Sequence, residues 1–139
     1  MADVTYLDHI VFERGAYYVF DRGYHDFGRF YAINSVGAFF VTRAKKNWSW
    51  RRLYSRPVDK TTGIRCDQIV VEGRHHHARK YLAHMRRIKY DDTLIKHHYV
   101  FITNNFDLPA ATIAELYKQR WQVELHFKWL KQHLSIESF

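Results

Sequence analysis

The stretch AYYVFDRGY, residues 16–24, sets the fold class. AYYVF is rich in aromatic and β-branched residues and does not alternate with polar ones, as expected for a strand buried on both faces. It runs directly into Asp21, and Gly23 permits a sharp turn two residues later. An acid immediately after such a strand is a common way to hold a ligand at the carboxyl edge of a sheet, although a turn-forming or helix-capping Asp has the same local pattern. Upstream, residues 6–11 form another apolar segment. Downstream, residues 26–34 read as a helix with Phe27, Phe30, Tyr31 and Ile33 available for packing, ended by residues 35–37. AFFVTR, residues 38–43, is a second strand. Strand, acid, helix, strand is an α/β layout.

The middle of the chain, residues 48–103, has a different character. WSWRRLYSR alternates aromatic with polar or basic residues, and Pro57, Gly63 and Gly73 supply turn signals. Short strands are expected near residues 69–72, 86–90 and 99–103. Trp48 and Trp50 can stack on extruded bases, or they can pack one face of a strand, being two residues apart. His75, His76 and His77 are consecutive, so their side chains diverge, and no Cys stands at a zinc spacing. A solvated loop is the expected setting. Asp91 and Asp92 read as turn residues between strands.

The carboxyl-terminal stretch YKQRWQVELHFKWLKQHLSIESF, residues 117–139, reads as part of one long helix opening near Pro109, whose missing amide proton suits a first turn. Asp107 lies close enough to favour the positive end of that helix. No Gly or Pro interrupts residues 110–134, and from Pro109 to Leu134 the span is about 39 Å as an α-helix. At roughly 100° per residue, Arg120, Glu124 and Lys131 fall within about 60° of Tyr117. Leu116, Val123, Phe127, Leu130 and Leu134 form the adjoining apolar stripe. Glu124 is thereby set at the margin of a buried face. The same spacing also suits i,i+4 pairing of Arg120, Glu124 and Lys128 on a solvated helix, worth a few tenths of a kcal/mol per pair.

The composition points the same way as these motifs. The 139 residues are the size of one domain, with 47% hydrophobic and 17% aromatic residues, a formal charge of +8 and a pI near 9.7. A basic, aromatic-rich chain of this kind suits a phosphate-bearing partner. The single cysteine, Cys66, cannot form an internal disulfide, so a reducing cytoplasm is the simplest compartment. Neither an apolar run long enough to span a bilayer nor a signal-peptide pattern is present, so no membrane partner is expected.

Tyr117, two residues, Arg120, three residues, Glu124, six residues, Lys131 resembles the Y-R-E-K signature of bacterial insertion-sequence transposases of the insertion-sequence-four family. The surrounding RWQVELHFKWLKQHL and the D-x-G-Y block at Asp21 resemble that family as well. The resemblance implies a partial ribonuclease-H-like domain over residues 1–139, with a β-rich insertion at about 48–103 before a long carboxyl-terminal helix. It further implies that Asp21 and Glu124 are the second and third acids of an Asp, Asp, Glu triad that cuts and joins DNA using two Mg²⁺ or Mn²⁺ ions. Tyr117, Arg120 and Lys131 would contact the DNA ends, Arg120 by forking onto a phosphate and Lys131 as a point charge. Transposon ends, target DNA and further copies of the transposase are the implied partners, in a bacterial cytoplasm.

One feature departs from the family pattern. The first triad Asp of the family lies on a central strand far upstream of the second, and Asp3, Asp8 and Glu13 have neither its context nor its distance. The expectation is a partial catalytic domain, inactive alone. A catalytically dead DNA-binding or subunit-interaction remnant is the alternative, and a non-transposing nuclease of similar fold a further one.

Overall fold

The computed structural model describes residues 11–20, 27–45, 48–73 and 84–119. Within them lie six strands, β1 (Tyr17–Phe20), β2 (Phe39–Arg43), β3 (Trp50–Ser55), β4 (Ile64–Glu72), β5 (Met85–Asp92) and β6 (His97–Thr103), and two helices, α1 (Phe27–Ser35) and α2 (Ala110–Lys118). The strands form one sheet in the order β1-β2-β6-β5-β4-β3. β1 and β2 are parallel, joined through α1, whereas every other neighbouring pair is antiparallel. A parallel pair needs a long crossover, and α1 provides it.

Side chains alternate across a strand, so neighbouring residues separate to opposite faces. Phe40, Val70, Met85 and Ile102 pack with Phe27, Phe30 and Ile33 of α1. Val41 and Phe101, next to Phe40 and Ile102, and Ile88, three residues beyond Met85, pack instead with Ile113 and Ala114 of α2. The helices therefore cover opposite faces of the sheet. Phe30 stacks nearly parallel on Phe40, with ring centroids 4.4 Å apart, and both are fully buried.

Several expectations from the sequence are corrected. β1 is half-buried rather than buried on both faces, because it ends the described sheet and Tyr17 faces outward. Tyr31 is exposed, since it stands about 100° from the centre of the face formed by Phe27, Phe30 and Ile33, at its margin. Residues 48–103 are β-rich, and β6 pairs with β2, so these strands continue the same sheet. They are longer than expected, β4 having nine residues and β5 eight. Asp91 and Asp92 end β5 rather than sit in the turn, although Asp92 reaches into that turn and accepts from the Leu94 and Ile95 amides. As expected, α2 begins beside Pro109, which stands at its N-cap. His75, His76 and His77 lie outside the described residues.

Among the described residues no helix is long and apolar enough to cross a membrane. Gly63 is required at its turn. Its φ is +90°, and a Cβ there would stand 2.6 Å from the Asp91 carbonyl oxygen.

Candidate active site

The helix that leads to the Tyr117-Arg120-Glu124-Lys131 motif is placed at its start by a buried polar network. Asn104 follows β6 where the β2 ladder ends, and its side chain takes the place of a strand. Its Oδ1 accepts from the Phe40 amide at 2.8 Å, while Nδ2 donates to the Ala38 carbonyl and to Asn34 Oδ1, both at 3.0 Å. The Thr103 hydroxyl donates to the Phe40 carbonyl at 2.6 Å. Asn105 Oδ1 accepts from the Asp107 and Leu108 amides and shapes the loop before α2. An Asn suits both places because one short side chain carries a donor and an acceptor.

Below this loop lies Arg86, 1% exposed, on β5. Its Nε and Nη2 fork onto Asp67 of β4 at 2.8 and 2.7 Å. Nη1 donates to the carbonyls of Leu108, at 2.6 Å, and Asn105, at 3.3 Å. The guanidinium joins two strands to the loop that launches α2.

β6 runs antiparallel to β2, and α2 returns over it, so α2 points the same way as β1 and β2. The Tyr117 ring lies 4.9 Å from Phe101 and 6.0 Å from Tyr99. Phe101 pairs with Arg43, the last residue of β2, and Phe20, the last residue of β1, pairs with Thr42. The last turn of α2 thus stands at the carboxyl ends of the two parallel strands. Arg43 contributes charge there, with its guanidinium 4.9 Å from the Tyr99 ring centroid and Nη2 2.7 Å from His97 Nε2.

Lys118 fastens this end of α2 to the β5–β6 hairpin. Its ammonium donates to the Tyr90 hydroxyl at 3.1 Å and lies 3.3 Å from Asp92 Oδ2. The Tyr90 phenol is the main influence holding the ammonium above its ordinary lysine value; partial burial opposes this, and Asp92 adds to it. Partial burial works to raise the Asp92 carboxyl. Hydrogen bonds from Lys118 and from the Ile95 and Leu94 amides outweigh it, and Asp92 titrates below the usual range. Asp91, held by hydrogen bonds from His98 and Arg65, is also lowered.

Of the residues singled out in the sequence, Tyr117 is half-buried at this edge of the sheet. Trp48 is only 8% exposed and packs against Phe27 and Trp50 in the core on the α1 side. Trp50 is half-buried and lines an open groove of about 300 Å³ with Arg52, Gln68, Val70 and Arg87. The two rings therefore share one face of the sheet, Trp48 packed in the core and both bordering the groove. Asp21, Arg120, Glu124 and Lys131 lie outside the described residues. Among the described residues no three His, Cys, Asp or Glu side chains converge as a metal site. Four of the acids are held instead within the protein, Asp67 by Arg86, Asp91 by Arg65 and His98, Asp92 by Lys118 and Asp59 by Thr61.

The sequence reading missed Arg86, Asp67, Asn104 and Asn105. The Asn pair after the apolar run YVFIT signalled a strand end, but Arg86 could not be told from Arg87 in MRRIKY. Only their opposite faces separate them, Arg87 reaching Gln68 on the groove side.

Comparison with known proteins places the chain in a family. No solved structure matches the chain. The chain is 38% identical over 137 residues to a putative transposase, y4zB, of Sinorhizobium fredii, covering 94% of this chain and 37% of that protein. It is 51% identical over 35 residues to a probable transposase for insertion sequence element IS5377 of Geobacillus stearothermophilus, covering 25% of this chain and 9% of that one. The chain thus spans little more than a third of the longer-matching relative. The profile of the transposase DDE domain matches residues 1–139, and the chain belongs to that family of DDE-type transposases.

Proposed function

We propose that this chain forms the part of a DDE transposase catalytic domain that carries the second and third acids, Asp21 and Glu124, and that it serves the cutting and joining of DNA phosphodiesters. The observation that carries this reading is the shared direction of β1, β2 and α2. Phe20, which immediately precedes Asp21, and Tyr117, the first member of the motif, both stand at the carboxyl end of the parallel strands. A βαβ unit with an acid following its first strand and a helix returning to the same edge is the layout expected of a ribonuclease-H-like domain. The insertion-sequence-four assignment rests on the Tyr117-Arg120-Glu124-Lys131 spacing.

Among the described residues no three acids converge as a metal site, and Asp67, Asp91, Asp92 and Asp59 are engaged by cations, amides or a hydroxyl. Asp21 and Glu124 suit one by their chemistry, since hard carboxylate oxygens select Mg²⁺ or Mn²⁺. Such ions, when bound, activate a water or 3′-hydroxyl and stabilise the leaving oxygen. Arg120 and Lys131 hold phosphates of the transposon end, and Tyr117 backs them from its packing on Phe101 and Tyr99. Target DNA follows as the second substrate, and synapsis of two ends brings a second transposase copy.

The test is Mg²⁺-dependent nicking of a labelled transposon-end duplex by the native transposase polypeptide. Activity should disappear in Asp21→Asn and in Glu124→Gln, each keeping shape and losing the anionic ligand, while end binding persists. Nicking undiminished in Glu124→Gln would refute the assignment. Binding should also be electrostatic: with about six phosphates neutralised, log K falls with log salt at a slope near −5. A salt-independent affinity would contradict DNA as the partner.

A further inference from the structure

We propose that the Arg86–Asp67 pair is a positioning device that sets the angle at which α2 crosses the sheet, and so where Tyr117 stands relative to the carboxyl ends of β1 and β2. The inference rests on the transposase reading for its catalytic consequence, but its geometric core stands apart. Arg86 and Asp67 are 1% and 4% exposed. A buried ion pair is weak as a stabiliser, because desolvation offsets most of the Coulomb attraction, and a packed apolar pair can replace it at little cost. What an apolar pair cannot supply is direction. The planar guanidinium spends its Nε and Nη2 on the two carboxylate oxygens, which fixes its plane. Nη1 is then aimed at the Leu108 and Asn105 carbonyls.

Those two carbonyls belong to the loop immediately before α2, which has no ladder of its own. Arg56 adds a third tether by donating to the Phe106 carbonyl at 3.0 Å. Three backbone carbonyls within four residues are therefore held by arginines rooted in β5 and just past β3. Leu108 is the last held point before the helix. From there Tyr117 is about 14 Å along the axis at 1.5 Å per residue, so a tilt of about 5° moves its backbone by about 1 Å. Displacements of that size at reacting groups cost on the order of 10²-fold in rate. Ile113 and Ala114 hold α2 down on the sheet, and of its two polar anchors Lys118 acts through a half-exposed side chain, leaving the buried fork as the stiffer.

The test uses the native transposase polypeptide carrying Arg86→Met with Asp67→Leu, which removes both charges and keeps volume, and separately Arg86→Lys, which keeps the charge and loses the fork. Nitroxide labels at Ser55 and Gln119, both exposed, in a Cys66→Ser background report the angle between sheet and helix by their distance distribution. The expected result is a distribution that broadens or shifts by about 1–2 Å in both variants. Affinity for transposon-end DNA should stay within about threefold, while the nicking rate at saturating DNA falls roughly 10- to 100-fold. Should the double variant not fold, Arg86→Lys carries the test. An unchanged distance distribution overturns the proposal, and so does an unchanged nicking rate beside an altered distribution. If the wild-type polypeptide does not nick DNA, the transposase reading fails, and the label distances still decide whether the fork positions the helix.

Discussion

Asn104→Ala is the perturbation with the clearest expected magnitude. The side chain makes three hydrogen bonds at 2.8 to 3.0 Å in a site 5% exposed. Two of them satisfy backbone groups of residues that are fully or almost fully buried, the Phe40 amide and the Ala38 carbonyl, which face away from β1 and have no ladder partner past Thr103. Truncation leaves both without a partner, at roughly 1–3 kcal/mol each, less whatever solvent can enter. The expected loss is therefore about 2–5 kcal/mol, a large part of the roughly 5–15 kcal/mol typical of a domain. Asn34→Ala removes only the third bond, and its cost should be about 1 kcal/mol. Equilibrium urea unfolding, followed through tryptophan fluorescence, measures both. With a slope of about 1.5 kcal/mol/M, the Asn104→Ala midpoint should fall by about 1.5–3 M and that of Asn34→Ala by less than about 1 M. A loss under about 1 kcal/mol in Asn104→Ala, or equal losses in the two variants, would show that this side chain does not stand in for a strand.

Four further outcomes are expected. Phe30→Ala empties a fully buried site against Phe40 and should cost about 3–5 kcal/mol in the same unfolding experiment; a change below 1 kcal/mol would contradict the core as described. Trp48→Ala should destabilise the fold, whereas Trp50→Ala should chiefly weaken single-stranded DNA binding through the groove with Arg52 and Arg87; comparing melting temperatures with affinities separates the two. Because the folded Asp91 carboxyl is lowered, its contribution is fully present above the unfolded value near 4 and is lost as pH falls through the folded value below it; Asp91→Asn should flatten this acid limb of a stability-versus-pH curve, and a curve unchanged by the substitution would refute the role. Gly63→Ala should destabilise through the positive φ and the 2.6 Å approach to the Asp91 carbonyl, and thermal melting that matched the wild type would show that the turn relaxes freely.

The sequence by itself determined the α/β class, the βαβ start and the family resemblance. Each is written in short-range patterns: AYYVF before Asp21, Phe27, Phe30 and Ile33 at helical spacing, and four residue types at set gaps from Tyr117. Local spacing legislates periodicity, and periodicity decides whether a segment is a strand or a helix. Pairing partners are a different matter. That β6 lies beside β2, making residues 48–103 one sheet with the βαβ unit, depends on contacts some 60 residues apart, which no local pattern encodes. The same holds for burial of charge. Arg86 and Arg87 are adjacent and chemically identical, and one is a buried fork on Asp67 while the other faces a groove, because the pleat turns successive side chains to opposite faces. The spacing of Trp48 and Trp50 favoured packing over base stacking without deciding it, and only the approach of α1, which brings Phe27 against Trp48, put that indole in the core. The direction of α2 toward the carboxyl ends of β1 and β2 likewise came from tertiary structure, since a helix is free to leave its strand in any direction until Asn104, Asn105 and Arg86 hold the loop between them.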